Sequence, residues 1–176
     1  YAYSAAFPDL EKITIWARNT EKAKILINKI SNLDITIEVS SDIQLTSANA
    51  DIISTATMAH EPILKGEWVK PGTHIDLIGA FTSDMREADD FLMSSGSIFV
   101  DSRATTIEHI GELTIPISNG IISKNDIIGD FYDLIPSSKS GRKSNDEITI
   151  FKNGGGAHLD LMIAKYLIEI SNNSIS

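Results

Sequence analysis

The chain has 176 residues, 42% of them hydrophobic and 22% charged, enough for a packed core in an ordinary globular mixture. Its formal net charge of −9 opposes non-specific nucleic-acid binding, which needs a positive field, but leaves room for an anionic group held by a few local donors. The absence of cysteine excludes disulfides and thiolate metal sites and suits a reducing cytoplasm, and no apolar run reaches the roughly 18 to 20 residues that span a bilayer.

The first residues, Tyr1 to Phe7, read as the body of a helix. Lys12 to Ala17 is β-branched and apolar and reads as a buried strand. Thr20 is expected to cap a helix with an apolar face of Ala23, Ile27 and Ile30. Asp34 to Val39 alternates as a strand does, a short helical turn runs from Ile43 to Ala48, and Ala50 to Ala56 is another buried strand. His74 to Ala80 and Ser97 to Asp101 read as strands, with a helix over Arg86 to Ser94 between them. Asp126 to Leu134 reads as helix, and Pro136 to Asn145 as an exposed loop rich in Ser, Lys and Gly. Glu147 to Phe151 is the last expected strand, before an apolar helix over residues 157–170 through Leu161, Ala164, Leu167 and Ile168.

Strands that are apolar on both faces and alternate with helices imply a mostly parallel sheet covered on both sides. The expected fold is α/β, Rossmann-like and doubly wound, with ligands at the carboxyl ends of the strands. A fold of this kind opens with a strand and a glycine-rich turn ahead of its first crossover helix. No G-x-G-x-x-G or G-x-G-x-x-A precedes that helix here, so the first strand and its turn are expected upstream of Tyr1.

Four clusters at strand ends carry candidate chemistry. Ala17, Arg18 and Asn19 occupy the position where an Asp or Glu would hold the adenosine ribose of NAD. An Arg there suits the 2′-phosphate of NADP through forked, charge-assisted bonds; the competing reading is a solvated loop Arg. Thr55, Ala56 and Thr57 are small and hydroxyl-bearing, able to approach a ribose or pyrophosphate and add donors, or simply to make a turn. Gly79, Ala80, Phe81 and Thr82 would admit a flat ligand such as nicotinamide, with Phe81 as pocket wall or core aromatic. Asn153 and Gly154 open a triple-glycine run before a helix, either exposing amide donors or forming a flexible turn. His158, in the first turn of that helix, is a substrate-side candidate or a structural contact. His60-Glu61, Glu108-His109 and Asp89-Asp90 lack partners at metal-ligand spacing, so no metal is expected.

The blocks Ala50 to Thr57, Glu61-Pro62, Gly66-Glu67-Trp68, Lys70 to His74, Gly79-Ala80, Val100 to Arg103, Gly111-Glu112-Leu113, Gly141-Arg142 and Asp146 to Lys152 occur in one order. In that order they resemble the cofactor domain of the ornithine cyclodeaminase/mu-crystallin family. The resemblance implies that residues 1–155 are an N-terminally incomplete NAD(P)-binding domain. It also implies that residues 156–176 are a helix packing back towards a substrate and dimerisation domain upstream. Cyclodeaminases of the family carry an Asp after Gly-Gly or Gly-Ala as acid/base, and a Lys a few residues on; Phe81 and Met85 stand there instead.

Gly79 to Glu87 and Phe151 to Asp160 look more like bacterial 1-pyrroline-2-carboxylate/1-piperideine-2-carboxylate (ketimine) reductases of the family. The resemblance thus implies a cytoplasmic, dimeric NADPH-dependent reductase, with NADH as the other cofactor. It would convert 1-pyrroline-2-carboxylate to L-proline or the six-membered homologue to L-pipecolate. Arg18 and Asn19 would hold the 2′-phosphate; Thr55, Ala56, Thr57, Gly79, Ala80, Phe81, Asn153 and Gly154 would line the cofactor; Thr82 or His158 would serve the substrate side. The alternatives are an ornithine cyclodeaminase or NAD-dependent amino-acid dehydrogenase, and a non-catalytic mu-crystallin-like binding protein.

Overall fold

A computed structural model of the chain describes residues 1–30 and 35–174, the side chains at 158, 159, 173 and 174 excepted. It packs as two compact units, Tyr1–Ala50 and Asp51–Ser176.

The first unit is a β-α-β arrangement with a short helix at each end. Helix α1 (Ala2–Ala6) precedes strand β1 (Lys12–Trp16), helix α2 (Thr20–Lys29), strand β2 (Thr36–Ser40) and helix α3 (Ile43–Asn49). Strands β1 and β2 pair in parallel, from Lys12 opposite Thr36 to Trp16 opposite Ser40. Crossover helix α2 begins one residue away from the expected cap. Asn19, not Thr20, is the N-cap, its side-chain oxygen accepting from the Lys22 amide at 3.0 Å. Asn outranks Thr in this role, and its side-chain oxygen reaches the third helical amide here. Ala23 is the buried residue of the helix, and Ile27 and Ile30 flank it half-buried. The strand expected from Asp34 is found over Thr36–Ser40; Asp34 itself lies outside the described residues.

The second unit holds a five-stranded parallel sheet. Its strands are β3 (Ile52–Thr55), β4 (His74–Leu77), β5 (Ser97–Val100), β6 (Ile127–Gly129) and β7 (Thr149–Lys152), in the spatial order β3-β4-β7-β5-β6. Helices α4 (Asp90–Ser95), α5 (Arg103–Thr106), α6 (Gly111–Ser118), α7 (Phe131–Leu134) and α8 (Ala157–Ser174) connect or follow them. Ile75, Leu77, Ile98, Val100, Ile127 and Ile150 from the strands pack with Leu64, Leu92, Met93 and Leu113 into one core. Every strand of the unit lies parallel to its neighbours, so all carboxyl ends emerge on one edge.

Two expected helices are corrected. The segment expected as a helix over Arg86–Ser94 becomes one only at Asp90, because the Asp89 carboxylate accepts from the Leu92 amide at 2.8 Å and sets the N-cap there. Residues 86–88 are instead extended, the Arg86 amide donating to the Ala59 carbonyl at 2.8 Å and Ala88 bridging Leu64 as a short β-link. The segment Asp126–Leu134 is not one helix. Ile127 to Gly129 add an edge strand beside β5, and Asp130 then caps α7 by accepting from the amides of Tyr132 and Asp133. Pro136 to Asn145 is loop, largely exposed, as expected. Helix α8 extends over the expected apolar segment, with Leu161, Met162, Ile163, Tyr166, Leu167 and Ile168 each more than half exposed. No helix among the described residues is long and apolar enough to cross a membrane.

Candidate functional site at the carboxyl ends of the strands

The strand-end edge of the second unit is organised by a buried carboxylate. Glu87 is fully buried. Its Oε1 accepts from the amide and the hydroxyl of Thr57, both at 2.7 Å, and its Oε2 accepts from Thr55 Oγ1 and the Gly79 amide, both at 2.8 Å. Four donors from the ends of β3 and β4 thus converge on one side chain. Gly79 is required for this approach: a Cβ there would lie 2.1 Å from the Thr57 carbonyl oxygen and 2.5 Å from Glu87 Oε1.

The backbone of Glu87 is fixed as tightly as its side chain. Its amide donates to Glu112 Oε2 at 2.7 Å, the next amide, of Ala88, donates to Glu112 Oε1 at 2.9 Å, and its carbonyl accepts from the amides of Ile63 and Leu64 at 2.9 Å each. Burying two carboxylates is costly, and these charge-assisted bonds are what offset it. Burial pushes the Glu112 carboxyl up to about 7, against the amides of Ala88 and Glu87 and the charge of Lys152, which pull it down. Lys152, fully buried at the end of β7, gives Nζ to the Leu77 carbonyl at 2.9 Å. Burial pushes its ammonium below the usual lysine range, and the nearby Glu112 and Glu87 charges oppose that.

The end of β7 is tied to its neighbours in the same way. The Asn153 amide donates to the Leu77 carbonyl at 3.1 Å, and the Gly154 amide to Asp101 Oδ2 at 2.9 Å. The Gly155 amide donates to Asn153 Oδ1 at 2.8 Å. Two of the amides that the glycine run could expose to a ligand, those of Gly154 and Gly155, are therefore already hydrogen-bonded within the chain. The same holds at β3. The hydroxyls of Thr55 and Thr57, read from the sequence as ligand donors, both donate to Glu87.

Of the sequence candidates, Thr55, Thr57 and Gly79 are brought together by Glu87, and Asn153 joins the end of β4 through Leu77. Ala80 is fully buried, whereas Phe81 is 58% exposed on the edge. Thr82 donates its hydroxyl to Asp84 Oδ1 at 2.6 Å, and His60 Nδ1 stands 3.2 Å from Asp84 Oδ2. The Thr82 hydrogen bond is the largest influence holding the Asp84 carboxyl below its usual range. In the first unit, Arg18 is exposed beside the N-terminus of α2, which Asn19 caps. The His158 side chain lies outside the described residues. Among the described residues no group of three or more His, Asp or Glu side chains could hold a metal ion.

Four residues of this edge had no role in the sequence reading: Glu87, Asp101, Glu112 and Lys152. The available signal was the pair Asp89-Asp90, which as a capping pair moves the helix start past Glu87 and frees it from a helical surface.

Comparison with known proteins gives the family of the chain. The sequence profile of the ornithine cyclodeaminase/mu-crystallin family matches residues 1–174. The chain is 51% identical over 169 residues to Delta(1)-pyrroline-2-carboxylate reductase of Paracoccus denitrificans, covering 96% of this chain and 54% of that protein. It is similar in structure to Delta(1)-pyrroline-2-carboxylate reductase of Thermococcus litoralis in complex with NADH and L-proline, with a TM-score of 0.78 and 32% identity, covering 82% of this chain and 45% of that one. It is also similar to the iminosuccinate reductase of Paracoccus denitrificans in complex with NAD+, with a TM-score of 0.85 and 28% identity, covering 97% and 52% of the two chains. The chain spans about half the length of the curated relatives it matches.

Proposed function

The chain belongs to the ornithine cyclodeaminase/mu-crystallin family, and from that membership we propose that the protein is a nicotinamide-dependent reductase of the C=N bond in a cyclic imino acid. The substrates proposed are 1-pyrroline-2-carboxylate, giving L-proline, and 1-piperideine-2-carboxylate, giving L-pipecolate. The observation that carries this reading is the end of β4. Gly79 and Ala80 put only small residues between the exposed side chains of Ile78 and Phe81, and Phe81 has no proton to exchange. Deamination of an amino acid calls for an ionisable group at the reacting carbon. Reduction of a cyclic iminium calls for a positioned hydride donor and the exclusion of water.

The residues present fit a dinucleotide. Arg18, exposed and followed by a capped helix N-terminus, would hold the 2′-phosphate with Asn19, and Ala17 puts no carboxylate there to repel it. We therefore propose NADPH as the preferred cofactor. Thr55, Ala56 and Thr57 line the cofactor from the end of β3. Gly79, Ala80, Phe81 and Thr82 flank the nicotinamide from β4, and Asn153 and Gly154 from β7. These residues would hold the reduced nicotinamide, whose chemistry would be hydride donation to the imine carbon. Thr82, with Asp84 and His60 behind it, is the proton-bearing group proposed for the substrate side.

Residues 1–155 are proposed as the dinucleotide-binding part. Residues 156–176 are proposed to pack on another part of the protein, in a cytoplasmic homodimer. The support for that packing is the exposed apolar surface of α8, which water disfavours.

The test is cofactor oxidation by the intact protein with each cyclic imine, set against ammonia release from ornithine. Imine-dependent oxidation of NADPH without deamination is expected; ammonia release without imine reduction would defeat the proposal.

A further inference from the structure

The hub on Glu87 has a chemical consequence for whatever lies over it. Thr55 Oγ1, Thr57 N, Thr57 Oγ1 and Gly79 N are all turned inward onto one carboxyl group. All four are donors, so every hydrogen at that carboxyl group is supplied from outside it, which suits a carboxylate, an acceptor-only group. None of these four donors is left for a ligand at the tips of β3 and β4, and a negative charge lies behind them. Four hydrogen bonds spread that charge without removing it. Gly79 places no side chain over it, since even a methyl there would lie 2.5 Å from Oε1. The nearby cation, Lys152, gives its hydrogen bond to the Leu77 carbonyl and shares its field between Glu112, Glu87, Asp101 and Asp76.

We propose that Glu87 is a positioning and specificity residue for the nicotinamide ring, its carboxylate behind Gly79 favouring the positively charged oxidised ring over the neutral reduced one. This rests on the reading above that Gly79 to Thr82 flank the nicotinamide. In the reduction, a C–H bond at ring C4 breaks and a C–H bond forms at the imine carbon. The π pair of the protonated C=N moves onto nitrogen, and the positive charge passes from that nitrogen to the ring. A negative charge fixed on the ring side stabilises that transfer as it develops, at no cost in reorganisation.

Binding measurements separate this role from a merely structural one. Dissociation constants for oxidised and reduced dinucleotides (NADP+ with NADPH, NAD+ with NADH) are measured on the intact protein, wild type and variants, with circular dichroism as the check on folding. Glu87→Gln is expected to weaken the oxidised form by roughly threefold or more beyond any loss for the reduced form. Glu87→Asp, which keeps the charge, is expected to hold the wild-type ratio even where both affinities fall. Equal losses for the two forms in Glu87→Gln would make the residue structural and overturn the proposal.

If Glu87→Gln does not fold, the double variant Thr55→Val/Thr57→Val decides. It leaves the carboxylate two backbone donors, and the ratio must then move further towards the oxidised form; an unchanged ratio overturns the proposal. A wild-type protein that binds no dinucleotide overturns the proposed function as well, whereas binding with an invariant ratio overturns the role of Glu87 alone.

Discussion

Replacing Gly79 by Ala is the sharpest test of the strand-end hub. The added Cβ would lie 2.1 Å from the Thr57 carbonyl oxygen, 2.3 Å from its nitrogen and 2.5 Å from Glu87 Oε1. Ordinary carbon–oxygen contacts begin near 3.3 Å, so the two strand ends must separate by about 1 Å or more. Two of the three obstacles are backbone atoms, which cannot rotate aside. The separation strains the bonds from the amides of Thr57 and Gly79 to Glu87, each a charge-assisted contact of about 1.5 to 3 kcal/mol, on top of about 1 to 3 kcal/mol for overpacking. These losses overlap, and a destabilisation of about 4 kcal/mol is expected. Urea denaturation followed by Trp68 fluorescence, in a Trp16→Phe background that removes the signal from residues 1–50, measures it. Gly120→Ala is the control. Its φ of 71° is unfavourable for Ala, yet nothing lies within 4 Å of the new methyl, so about 1 kcal/mol is expected. Equal losses for the two variants would refute the claim that close approach at Gly79 constrains the edge.

Arg18→Ala should weaken NADPH far more than NADH, read from the two dissociation constants; equal weakening would remove the phosphate assignment. Glu112 has a value of about 7 in the fold against an ordinary 4.5, so the folded state holds its proton more tightly than the unfolded chain does. Its stabilising contribution is complete below the ordinary value and is lost as pH rises through about 7, an effect of about 3 kcal/mol. Urea midpoints from about pH 5 to about pH 8 should therefore fall in the wild type relative to Glu112→Gln, and a pH-independent difference between the two would count against it. Arg103 binds Asp133 at 2.7 Å and the carbonyls of Ile127 and Ile128 at 3.2 and 3.3 Å. Lysine cannot reproduce that fork, so Arg103→Lys should lower the thermal midpoint by the equivalent of about 1 to 2 kcal/mol.

The regular part of this fold was legible because it is written locally. Ile13 to Trp16, Ile52 to Ile53 and Ile75 to Leu77 are apolar strand signals, and each is found as a strand. Strand β6 was not, because Ile127-Ile128-Gly129 is too short to show a period and is flanked by Asp126 and Asp130, which read equally well as helix starts. Glu87 was hidden for another reason. In Met85-Arg86-Glu87-Ala88-Asp89-Asp90 a glutamate looks like one more solvated charge, and its partners lie eight residues away at Gly79 and 30 residues away at Thr57. Small residues at strand ends were likewise visible in the sequence; the direction their hydroxyls and amides point was not, since that depends on an acceptor supplied from elsewhere in the chain.

Strand β7 comes after β3, β4, β5 and β6 in the chain, yet it lies between β4 and β5. A growing polypeptide leaving the ribosome therefore carries a sheet with its middle slot vacant until residues 149–152 emerge. Pairing of β4 with β7 and of β5 with β7 must then be made late, across long sequence separations, which is the slow and aggregation-exposed kind of closure. A nascent chain halted before Thr149 would present two bare inner edges, and chaperone dependence should peak over that stretch of synthesis.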